Sequence, residues 1–257
     1  MADDKTRFRF RKEAELRLLS HHDLARAVER LLRRAQLPFE STGGFHPHPR
    51  IVFPLSMPLG TIGLEEIVEI EWKTKIEPEE AVDVLRRHAP PGITFVSARR
   101  IPLKSTARCR RVEYQLPIPA EKLSLAEDCV RNFSTCSEIW VERIRPRHKR
   151  LDIFPFIDSI AIQNQKLQFS LWVTGNGTAK ADEVCTALGL GELLESACWT
   201  RSRLEVFDEL TPEEVARTPA ITAREELLLD RPVHSQEEVL SSASLEWGAS
   251  EDGPIVE

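Results

Sequence analysis

RFRFRKEAELRLLSHHDLARAVERLLRRAQLP, residues 7–38, changes period partway along, and that change decides the fold class. In RFRFRK (7–12), Phe8 and Phe10 alternate with Arg7, Arg9 and Arg11, which is the period of a half-buried strand. From Ser20 onward, Leu24, Ala27, Val28, Leu31 and Ala35 recur at helical spacing, while Arg26, Arg30, Arg33 and Arg34 cover the other faces. Ser20 is a good N-cap, and Asp23 three places later puts a carboxylate in the first turn, a variant of the capping box. Pro38 ends the helix.

The same alternation of periods continues outward. IVFPLS (51–56) reads as a strand interrupted at Pro54, and EEIVEIEWK (65–73) as its partner, with Ile67, Glu69 and Glu71 opposed to Val68, Ile70 and Trp72. PEEAVDVLRRHA (78–89) is an amphipathic helix with Pro78 in its first turn, and ITFVSARRI (93–101) closes the unit as a strand. The second hundred residues repeat the order: RVEYQLPI (111–118) strand, LSLAEDCVRNF (123–133) helix, then EIWVERIRP (138–146), RLDIFPFIDSIAIQ (150–163) and LQFSLWVTG (167–175) as a hairpin region with one extra strand. KADEVCTALGL (180–190) is a helix and WTRSRLEVF (199–207) the last strand. Two βαββαβ units predict an α+β fold of two tandem ferredoxin-like α/β sandwiches, 1–103 and 104–207, joined near PLKSTARCR (102–110). No residue-level repeat accompanies them, so the duplication rests on element order.

Charge marks a third segment. From Asp208 to Glu257 thirteen acidic residues face three arginines, a net of -10, which leaves the preceding body at +4 within a whole-chain charge of -6. Residues 208–257 are therefore expected to be an acidic, mostly flexible tail, with a short helix possible at 222–229. The whole-chain charge says little about whether the body meets an anion. No apolar run reaches the length of a membrane span, and MADDKTRFRFRK lacks the apolar core of a signal peptide, so a cytoplasmic protein without membrane contact is expected. The five cysteines, Cys109, Cys129, Cys136, Cys185 and Cys198, are odd in number and scattered, with neither CxxC nor CxxxCxxC. A disulfide framework and an iron–sulfur ligand run are both unsupported.

Two stretches carry chemistry. In LSHHD, Ser20, His21, His22 and Asp23 stand at a helix N-terminus, where unpaired N–H groups and the dipole favour an anion; the plainer reading is that Ser20 and Asp23 only cap the helix. In GGFHPHPR, Gly43 and Gly44 let a ligand approach the backbone, and the prolines stiffen the rest of the loop. A zinc site would need His21 to join His46 and His48, because an HPH pair alone has no recognised ligand spacing; no metal is expected. Phosphate suits the composition better, with Arg50 and the strand arginines, Arg9 among them, lining one groove and Phe45 either stacking on a base or anchoring the loop in the core. A second basic cluster, RIRPRHKR (143–150), sets Arg145, Arg147, Lys149 and Arg150 around His148 at an expected hairpin turn, suited to a nucleic-acid backbone or simply solvated.

FRFRK, LSHHD, RRAQLP and GFHPHP succeed one another in the order and spacing of R-F-R-F-x-K, L-S-H-x-D, R-R-A-x-L-P and G-F-x-P-H-P. In this the chain resembles the radical-SAM-linked protein family, domain of unknown function 2344. KRLDIFPFI and WTRSRLEV resemble its second half, so the likeness runs over about residues 6 to 207. Within it His21 and His48 are the motif histidines, and His22 and His46 stand at variable positions. The resemblance implies an accessory to RNA modification whose partner in trans is a cobalamin-binding-type radical SAM protein. S-adenosylmethionine and an iron–sulfur cluster would be held by that partner, and no cofactor by this chain. An accessory protein that binds RNA or another polyanion is thus expected. Two rivals are a metal-independent endoribonuclease using His21 and His48 as acid and base, and a protein-docking module without nucleic-acid contact.

Overall fold

The two faces of β1 (Asp4–Lys12) meet different surroundings, as its alternation predicts. On one face Phe8 and Phe10 are fully buried, and Phe8 lies edge-on to Trp72 and Phe95 with ring centroids 6.2 and 5.7 Å away. The computed structural model that shows this describes residues 2–228 apart from 146, 176 and 197. Helices α1 (His21–Arg34) and α2 (Pro78–His88) cover this face. α1 contributes Leu24, Val28, Leu31 and Leu32, each worth about 1.5–3 kcal/mol when fully withdrawn from water. With β2 (Ile51–Val52), β3 (Ile62–Trp72) and β4 (Ile93–Arg100) the strand order of this half is β4-β1-β3-β2, all antiparallel. The run 51–56 keeps only two paired residues, because Pro54 has no N–H to offer the ladder.

The second half holds β5 (Cys109–Pro117), α3 (Leu123–Phe133), β6 (Trp140–Arg143), β7 (Lys149–Asp152), β8 (Ile157–Gln163), β9 (Lys166–Trp172), α4 (Ala181–Ala187), α5 (Leu193–Ser196) and β10 (Thr200–Val206). Its strands run β10-β5-β9-β8, again antiparallel, over a separate apolar core. β10 also lies parallel to β3, with Thr200 opposite Ile62 and Arg201 opposite Gly63, so the halves share one eight-stranded sheet. The chain is thus a mixed α/β protein built on one multistranded sheet. β6 and β7 form the expected hairpin but leave the main sheet for a small one.

Residues 208–228 differ from the expected flexible tail. α6 (Pro212–Ala216) is closed by a capping box between Thr211 and Glu214, and Arg110 holds it through Thr218 Oγ1 at 2.6 Å and the carbonyl of Glu214 at 2.8 Å. The stretch expected as a helix at 222–229 contains instead β11 (Glu225–Leu227), paired with β7. β7 offers an open edge carrying Lys149 and Arg150, and Glu225 and Glu226 pair with them, so tertiary context overrides helical preference. The rest of that tail, 229–257, lies outside the described residues.

Candidate functional site

The first turn of α1 is anchored from below. Lys12, fully buried at the end of β1, donates from Nζ to the carbonyls of Arg17 and Leu19, both at 3.2 Å, which fixes the 3-10 turn Ala14–Leu18 and the approach to Ser20. Burial lowers the pKa of this lysine. Ser20 caps the helix as predicted: its Oγ accepts from Asp23 N at 3.1 Å and donates to Asp23 Oδ2 at 2.7 Å. His21 comes next, its ring edge-on to Phe53 with centroids 5.2 Å apart. Its Nδ1 is buried without a hydrogen-bond partner among the described residues. Burial above all, with His22 and Arg201 adding to it, lowers the His21 pKa below its ordinary 6.5 and favours the neutral ring.

The GGFHPHPR segment is a hairpin-like excursion beside β3. Its stem is tied by Thr42 N to His48 O and Arg50 N to Glu40 O, each 2.8 Å, and Gly44 near the tip takes φ +106, a conformation closed to most residues. Phe45 at the tip is wholly exposed, so it anchors no core. Gly43 faces open space. The stem returns His48 to α1, where Nδ1 lies 3.2 Å from Glu29 Oε2. Burial opposes charge on Glu29, but hydrogen bonds from Arg33 and His48 outweigh it and hold the carboxyl below the usual range.

The two motifs therefore meet. His21, His22, Arg26, Glu29, His48 and Phe53 line one groove of about 470 Å³. None of the four arginines expected to join it lines it: Arg11 is exposed on β1, and the other three are engaged. Arg50 pairs with Glu71 on β3 at 3.2 Å, and Arg9 lies on the opposite face of β1, paired with Glu65 at 3.6 Å and with Glu209. Arg7 beside it is buried against Glu69 at 2.7 Å and Asp208 at 2.8 Å. The Phe/Arg alternation shows which face the arginines take, and not that a distant acidic segment covers it. In the second cluster Arg145 and Arg147 are exposed, but Lys149 pairs with Glu225, and Arg150 sits over the Trp140 ring at 5.3 Å with Glu226 at 3.7 Å. That cluster belongs to the β6–β7 hairpin and does not line the histidine groove.

His21 also lines a second space, a mostly apolar cleft of about 640 Å³ between the halves, with Met57, Leu59, Tyr114, Trp199 and Arg201. Sequence reading missed this cleft. Arg201 at its base is almost wholly buried and grips Glu66 with both arms, Nε to Oε1 at 2.7 Å and Nη2 to Oε2, while Nη1 donates to Ser56 O at 3.0 Å. Burial works against charge on Arg201, but Glu66 outweighs it and raises the pKa; burial also raises that of Tyr114. Gly63 opposite Arg201 is required: a Cβ there would stand 2.5 Å from Glu66 Cγ and 2.7 Å from Met57 Cε. That glycine inside a strand is the signal sequence analysis passed over.

Among the described residues no group of three or more His, Cys, Asp or Glu is placed to hold a metal ion, and no helix is long and apolar enough to cross a membrane. Residues 5–182 match the family model described as "Uncharacterized protein conserved in bacteria (DUF2344)", and the chain belongs to that family. No curated protein matches it. A solved structure, the crystal structure of an unknown protein from Galdieria sulphuraria, is 12% identical over 79% of this chain and 98% of its own, with a TM-score of 0.22, too low to bear on the fold.

Proposed function

We propose that this member of the uncharacterized bacterial family is an accessory protein that binds RNA or a similar polyanion along the histidine groove and presents it to a radical SAM enzyme acting in trans. The convergence of LSHHD and GFHPHP carries the reading: it puts His22, His48 and the exposed Arg26, paired only at 3.7 Å with Asp23, beside the first turn of α1, where the N–H groups not taken by the Ser20 cap favour an anion. The radical SAM partner rests on the sequence resemblance alone. Strand orders β4-β1-β3-β2 and β10-β5-β9-β8 support reading the halves as two ferredoxin-like units sharing a sheet.

The test is fluorescence anisotropy of a labelled single-stranded RNA against the whole chain over a salt series. Arg26→Ala should weaken binding and reduce the salt slope by about 0.7, the contribution of one single-strand phosphate. No binding at low salt, or an unchanged slope, sinks the reading. A neutral His21 with an unpartnered Nδ1 also supports the endoribonuclease reading, in which His21 takes the 2′-hydroxyl proton and His48 serves the leaving group. Metal-independent cleavage of the same RNA, lost in both His21→Ala and His48→Ala, would select it.

A further inference from the structure

We propose that the cleft between the halves is a nucleobase pocket, taking the flat ring of one unpaired nucleotide whose flanking phosphates lie in the adjoining histidine groove. The inference rests on the polyanion reading of that groove and adds to it the part of the nucleotide that groove cannot hold. The His21 ring borders both spaces, so a ligand filling one is next to the other.

The cleft is unsuited to phosphate and suited to a base. Arg201 is almost wholly buried and commits each of its three nitrogens to Glu66 or Ser56 O, so it is poorly placed to receive an anion. Leu55 and Leu59 form an apolar lip above the buried Met57, and Leu59 is 67% exposed, which a flat ring would cover. Trp199 is half-buried and held from two sides: its ring stands edge-on to Phe169 with centroids 6.0 Å apart, and its carbonyl accepts from Ile62 N at 2.8 Å. A tryptophan fixed in this way is a stacking platform, which is sequence-tolerant because every base has a π-face. His21 lines the cleft, and its Nδ1, buried and without a partner among the described residues, is the polar group that an entering base edge would meet, since a neutral imidazole nitrogen can either donate or accept. The volume, about 640 Å³, falls inside the range of roughly 300–1,000 Å³ usual for small-ligand pockets and admits a nucleoside.

Anisotropy titrations of the whole chain with a single-stranded RNA decamer and with the same decamer made abasic at its central nucleotides test this. The proposal expects the abasic strand to bind about tenfold more weakly with the same salt slope, because one stack is lost and no phosphate is. Trp199→Leu should abolish that preference. Leu59→Glu, at an exposed position that the core does not use, should abolish it as well and keeps the test valid if the first variant folds poorly. Equal, salt-dependent binding of the two strands overturns the base pocket and leaves the polyanion groove standing, and the cleft would then be free for an apolar side chain of a partner protein. A preference that survives both substitutions places base reading elsewhere and overturns the proposal. Failure of both strands to bind removes this inference and the reading beneath it.

Discussion

Replacing Gly63 by alanine would drive a methyl group into the buried ion pair that joins the halves. The new Cβ would meet Glu66 Cγ at 2.5 Å, Glu66 Oε1 at 2.7 Å and Met57 Cε at 2.7 Å. Met57 Cε is the tip of a flexible side chain and can withdraw. Glu66 cannot, because Arg201 holds both its oxygens. Overpacking alone costs about 1–3 kcal/mol, and separating one partner of a buried pair about 3–5 kcal/mol, so we expect Gly63→Ala to cost about 2–4 kcal/mol. Urea unfolding followed by both tryptophan fluorescence and far-UV circular dichroism measures it, provided the two transitions coincide. Repeating the substitution in a Glu66→Ala background isolates the cause. There only Met57 is in the way, and the added cost should fall below about 1 kcal/mol, a coupling typical of residues in contact. A Gly63→Ala variant within about 0.5 kcal/mol of the parent, or an equal cost in both backgrounds, would refute the argument.

Two further outcomes are expected. Burial opposes charge on Asp208 and Glu209, but Arg7 outweighs it at Asp208 and Arg9 at Glu209, so their folded pKa values lie below the ordinary 3.8 and 4.5. Groups lowered in this way stabilise above the ordinary values, and the stability is lost as pH falls through the lowered ones. Melting temperatures from about pH 7 down to about pH 3 should therefore fall less steeply in an Asp208→Asn/Glu209→Gln variant, and parallel profiles would count against these pairs. Burial pushes the Cys109 and Cys185 thiols up to about 12, whereas Cys136 is exposed. Iodoacetamide at about pH 8 should then label Cys136 on the folded chain and reach Cys109 and Cys185 only after denaturation, as peptide mass spectrometry would show.

Local physics made much of this molecule readable in its sequence. Phe8 and Phe10 point inward because a strand has a period of two, and Ser20 caps α1 because a helix leaves its first N–H groups unpaired. α3 spans the same residues, 123–133, that periodicity assigns to it. What could not be read depends on contacts distant in sequence. The arginines of β1 face away from the core as alternation requires, yet Arg7 is buried because Asp208 and Glu209 come back to cover it. Arg201 sits in an alternating strand like any solvent-facing residue. Only the register of β10 against β3 sets it over Glu66. The site shows the same division. His21 and His48 stood out by motif, while the cleft beside them is assembled from Met57, Tyr114 and Trp199, ordinary core residues in any one-dimensional reading.

β10 lies between β3 and β5 although it is the last long strand to be made. A ribosome emits residues in order at about 5–20 per second, so for the whole interval between the emergence of Trp72 and that of Val206 the Ile62–Gly63 end of β3 has no neighbour on that side. β5 waits in the same way for its partner across Cys109–Gln115. The nascent chain thus carries two open strand edges on adjoining pieces of sheet, and a single late segment closes both. A ribosome stalled shortly before Thr200 would hold a chain with both edges unpaired, a substrate for chaperones, whereas a chain released beyond Val206 carries with it the segment that closes both.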